Sequence, residues 1–96
     1  MGIFDSPGPA VQKDEFYEML NHSDLHNLPQ EDRTRLKDLA AVYFERPGHL
    51  PGIRKEDKEE FMKRAKNMVR PMYHNMLPII SHLLDEGIKG TYGRTF

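Results

Sequence analysis

The chain has no cysteine, and that removes disulfides, thiolate metal ligands and thiol nucleophiles together. A secreted domain of this size is often stapled by disulfides, so their absence favours a reducing, intracellular setting. Long hydrophobic runs are also missing. No stretch nears the roughly 18 apolar residues that span a bilayer. The N-terminus lacks a basic region followed by an apolar run, as a signal peptide would have. Period-2 alternation is absent, which speaks against half-buried strands. There is no internal repeat, low-complexity segment or glycine-rich phosphate loop.

What is present is one long amphipathic segment. From Glu56 to Gly87 the apolar positions Phe61, Ala65, Met68, Met72, Met76, Ile79 and Leu83 recur at steps of three and four, the repeat of a helical face. The expectation is an all-α fold: a small three- to four-helix domain with a long Pro-kinked C-terminal helix and extended N- and C-terminal arms. Ninety-six residues make a single domain, with an arm over 1–9, a helical core over 10–87 and a tail over 88–96.

Local signals divide the core. Pro9 suits a first helical turn, so helix one is expected over about Ala10–Asn21, burying Val11, Phe16, Met19 and Leu20. Ser23 or Asp24 can cap a single turn before Leu28. Helix two is expected over Pro29–Glu45, with Glu31 and Asp32 at its positive end and Leu36, Leu39, Ala40, Tyr43 and Phe44 inward. Two Pro-Gly pairs, Pro47-Gly48 and Pro51-Gly52, each suit a type II turn. Helix three is expected over Lys55–Val69 and helix four over Pro71–Glu86. They form either one rod kinked at Pro71 or two pieces with a tight break, because proline removes a helical hydrogen bond. Pro78 adds a weaker perturbation, and Gly87 is expected to take the left-handed position that ends the helix.

Charge is nearly balanced overall, at −1, but unevenly placed. Residues 1–45 carry nine acids and four bases; residues 46–96 carry ten bases and six acids. The halves either attract each other within the fold or give a bipolar surface that orients the protein on a partner. Lys63, Arg64, Lys66 and Arg70 form an acid-free basic run, enough for a few phosphate contacts or for steering to an acidic protein surface.

Catalytic signals are weak. Ser81 and His82 are adjacent, and neighbouring helical residues diverge too far to pair as nucleophile and base. His22 and His26 have helical metal spacing but lack the glutamate of a zincin motif, and His74 and His82 would need a further element to close a site. Neither an enzyme, a metal nor a cofactor is expected. Met1-Gly2-Ile3-Phe4-Asp5-Ser6 fits the short myristoylation pattern, but no polybasic patch adjoins it, and no membrane partner is expected.

The reading is a cytoplasmic, non-enzymatic protein-binding module: an accessory subunit, assembly adaptor or inhibitor that needs no cofactor and works within a larger assembly. The candidate contact residues are Phe4, Met68, Met72, Met76, Tyr92 and Phe96, because methionine clusters make adaptable surfaces. The partner is another protein or copies of the chain itself. The alternative is a helical nucleic-acid-binding domain that uses Lys63, Arg64, Lys66 and Arg70.

Overall fold

The computed structural model describes residues 10–48 and 50–89. Ala10–Val11 (β1) pairs antiparallel with Ile53–Arg54 (β2), Ala10 opposite Arg54 and Val11 opposite Ile53. Four α-helices follow the chain: α1 (Lys13–Leu20), α2 (Gln30–Phe44), α3 (Lys55–Met68) and α4 (Leu77–Ile88). Two 3₁₀ turns, Ser23–Leu25 and Pro71–Met76, make the corners. The all-α class expected from the sequence holds. The arms expected at Ile3-Phe4 and at Tyr92-Phe96 lie outside the described residues, as does Gly90 and all that follows it.

Helix one is shorter than expected because Ala10 and Val11 are extended in the β1–β2 pair. It starts after Gln12, whose backbone N–H donates to Glu15 Oε1 at 3.2 Å, satisfying a donor that the helix start would leave open. The single turn expected at Ser23 is present as a 3₁₀ turn, opened by Asp24 N–H donating to His22 Nδ1 at 3.1 Å. Arg33 of α2 then ties this corner together. Its guanidinium donates to the carbonyls of Leu20, Leu25 (2.7 Å) and Leu28 (2.8 Å), so one charged side chain serves three backbone carbonyls, two of them at helix ends.

The two glycines expected to take positive φ do so: Gly48 at +76° and Gly52 at +106°. Gly52 also donates its N–H to Tyr43 O at 2.8 Å, pinning the loop back on α2.

The C-terminal half departs from the kinked-rod alternative. Val69 (ψ 133°) and Arg70 (ψ 143°) are extended, so α3 stops at Met68 and the chain restarts as a 3₁₀ turn at Pro71. The cause is local: the ring of a proline disfavours helical backbone in the residue before it. Two extended residues shift the phase of the stripe. Val69, Met76, Ile80, Leu83 and Leu84 are buried, whereas Met68 and Met72 are exposed. Pro78 perturbs nothing, because it lies in the first turn of α4, where its missing N–H has no helical partner to lose.

Gly87 does not end the helix. It sits within α4, buried, and α4 runs on to Ile88. Its role is close approach: a Cβ there would lie 2.6 Å from Val11 Cγ2. Gly87→Ala should therefore lose stability, about 1–2 kcal/mol, since overpacking outweighs alanine's helix preference of about 1 kcal/mol. Urea midpoints check this, and the cost of Gly87→Ala should be smaller when measured in a Val11→Ala background, where the clashing methyl is gone. A stabilised Gly87→Ala would show that the β1–α4 contact is loose.

The core lies where the four helices meet. Phe16 packs edge-on to Phe44 (6.0 Å between centroids) and to Phe61 (5.7 Å), and Phe61 does the same to Tyr43 (5.8 Å). Val11, Met19, Leu20, Leu25, Leu36, Ile53, Val69, Ile80 and Leu84 are fully buried with Phe16, Tyr43 and Phe61.

Candidate interaction surface

Helices α2 and α3 run antiparallel, and three polar contacts fix their register. Near one end Arg46 Nη2 meets Asp57 Oδ2 at 3.2 Å, and Asp57 also accepts the Arg54 N–H at 3.1 Å, capping α3. One turn further in, Tyr43 donates its hydroxyl to Glu60 Oε1 at 2.6 Å. Burial, then this bond to Glu60, pushes the Tyr43 hydroxyl up to about 12, so it remains a donor at neutral pH. At the far end Asp32 meets Arg70.

That last contact builds the elbow between α3 and the 3₁₀ turn. Asp32 is completely buried. Its Oδ2 accepts the Arg70 backbone N–H at 3.0 Å, and its Oδ1 accepts Nε at 3.1 Å and Nη2 at 2.9 Å. Burial alone would raise the carboxyl, but the Arg70 hydrogen bonds and the charges of Arg70 and Arg35 hold it below the usual carboxylate range. Arg70 is thereby committed to structure, and its guanidinium also lies 5.4 Å from the Tyr73 ring centroid. Asp32 was legible only as a dipole match at a helix start; its burial depends on a residue 38 positions away.

The remaining candidates fall into two groups. Met76 is 7% exposed and belongs to the core. Met72 is 71% exposed and Met68 37%, the two flanking the extended Val69-Arg70 junction. Lys63, Arg64 and Lys66 are exposed on α3, with Arg64 3.8 Å from Glu60. Phe4, Tyr92 and Phe96 are outside the described residues. Sequence periodicity missed Val42, which is 51% exposed on α2.

Two further histidines contact backbone carbonyls. His26 Nδ1 lies 2.6 Å from Ser23 O, and His74 Nε2 lies 2.9 Å from Val69 O. Among the described residues, no group of three or more His, Asp or Glu side chains converges as a metal site. No described helix is long and apolar enough to cross a membrane. A shallow groove between α3 and α4, lined by Lys55, Lys58, Met62, Ser81 and Asp85, is bridged by the 2.8 Å Lys58–Asp85 ion pair. Ser81 and His82 share α4, with His82 exposed to solvent. Comparison with protein-family models, curated proteins and solved structures finds no match to this chain.

Proposed function

We propose that the protein is a non-enzymatic binding module that engages another protein through the methionine elbow. The observation that carries this reading is the exposure of Met72, at 71%, with Met68 beside the same junction. A large apolar side chain held in water is costly to leave idle, and methionine adapts its shape to a partner. The elbow is also held firmly, since Asp32 fixes the Arg70 backbone between the two methionines. Preorganisation of this kind lowers the entropic cost of binding. Exposed Lys63, Arg64 and Lys66 on the same helix supply steering toward an acidic surface. A cysteine-free chain suits the cytoplasm or an assembly within it.

The nucleic-acid reading is weaker. Arg70 is hydrogen-bonded to the buried Asp32, which withdraws one of the four cations of the basic run. That leaves few cations for phosphate.

The test is affinity capture with the full chain and with M68E/M72E. A partner retained by the wild type should fall by about tenfold or more in the double variant, as expected for loss of central apolar anchors. The melting temperature should hold, because both side chains are exposed. Equal recovery of every partner by the two proteins would overturn the reading.

A further inference from the structure

We propose that the docking site extends along the seam between α2 and α3, and that its occupant is an amphipathic helix with an acidic flank from a second protein. This rests on the protein-binding reading and names the partner's chemistry. The contacts Tyr43–Glu60 and Arg46–Asp57 hold one register, in which each step along α2 matches a backward step along α3, and Asp32–Arg70, just past the end of α3, falls within one residue of it. That register sets Arg35 level with Met68, Leu39 with Arg64 and Val42 with Phe61. Val42 and Met68 are the exposed apolar side chains of this rim, while Leu39 is buried between them. They stand seven residues apart along the seam, roughly 10 Å at 1.5 Å per residue. Two helical turns have that length, so apolar residues at i and i+7 of an incoming helix reach both.

Charge complementarity selects the flank. Arg35 and Arg64 stand on the two sides of the seam, both exposed by about half. The ion-pair partners of each, Glu31 and Asp32 for Arg35 and Glu60 for Arg64, are 3.8 Å away, beyond hydrogen-bonding distance. Both guanidinium groups therefore keep donors for carboxylates of an incoming helix, which they can hold in bidentate fashion. Glu60 already accepts the Tyr43 hydroxyl. The chain's own acidic amphipathic helix is not the occupant: α1 carries Asp14, Glu15 and Glu18, but its Phe16, Met19 and Leu20 are buried in the core.

The test uses a fluorescent synthetic helix of about 18 residues with leucines at i, i+3, i+4 and i+7 and glutamates on its flanks, titrated into the full chain. The expected result is saturable binding that weakens by about tenfold or more in V42E, in R35E/R64E, or when the flanks are lysine. R35E/R64E should instead prefer the lysine peptide. Equal affinity for the two peptides, or no effect of these exposed substitutions, overturns the proposal. Dimerisation of the chain that V42E abolishes would also overturn it, in favour of a second copy. If M68E/M72E loses a captured partner that V42E and R35E/R64E both retain, the seam is wrong and the binding-module reading stands.

Discussion

Phe61→Ala is expected to lower stability by about 3–5 kcal/mol, the range for removing a large aromatic from a closed core. Phe61 has no exposed surface and packs edge-on against two other rings of the aromatic cluster, at 5.7 Å from Phe16 and 5.8 Å from Tyr43. Truncation removes the transfer free energy of the ring, both edge-to-face contacts and the support for the α2–α3 register. Because a domain of this size is stable by only about 5–15 kcal/mol, the variant should be partly unfolded near physiological temperature. Urea denaturation followed by circular dichroism checks this through the midpoint, with the slope unchanged. Val42→Ala, at an exposed site on α2, should shift the same curve by less than about 0.5 kcal/mol. A loss below about 1 kcal/mol for Phe61→Ala would mean that the rings do not form the centre of the fold.

How much of this was readable in advance varies with the range of the interaction concerned. α2 was legible nearly to its ends, since Pro29, Glu31 and the inward Leu36, Leu39, Ala40 and Tyr43 are all local signals. The turns at Gly48 and Gly52 were legible for the same reason. The stripe from Phe61 to Leu83 misled, because it is continuous in sequence while the backbone is extended at Val69 and Arg70. A periodicity count cannot register a loss of phase, although Pro71 marked the place. Gly87 was misassigned because a glycine near a helix end serves either of two needs, positive φ or close approach, and only Val11, 76 residues earlier in the chain, decides between them. The candidate surface was half legible. Exposure of Met68 and Met72 follows from the same break, and the withdrawal of Arg70 from the basic run requires Asp32 across the fold.

Asp32→Ala should cost about 2–3 kcal/mol, mostly by stranding donors that the carboxylate now satisfies. The Arg70 backbone N–H points at Asp32 Oδ2, and at an extended junction no helical carbonyl stands in its place. Asp32→Asn should cost less, because an amide oxygen can still accept that N–H. The acid limb of the stability curve separates charge from shape. The folded carboxyl lies below its unfolded value of about 3.9, so its contribution is complete above that pH and is lost as pH falls through the lower folded value. Wild type and Asp32→Ala should therefore differ most near neutrality and draw together in acid. A gap that stayed constant from neutrality down to about pH 2 would assign the effect to packing and remove the ion pair from the account. The same variant bears on binding. Asp32 holds the backbone that sets Met68 relative to Met72, so partner affinity should fall in Asp32→Ala even at temperatures where the fold is fully populated. Retained affinity there would show that the elbow needs no fixed geometry to bind.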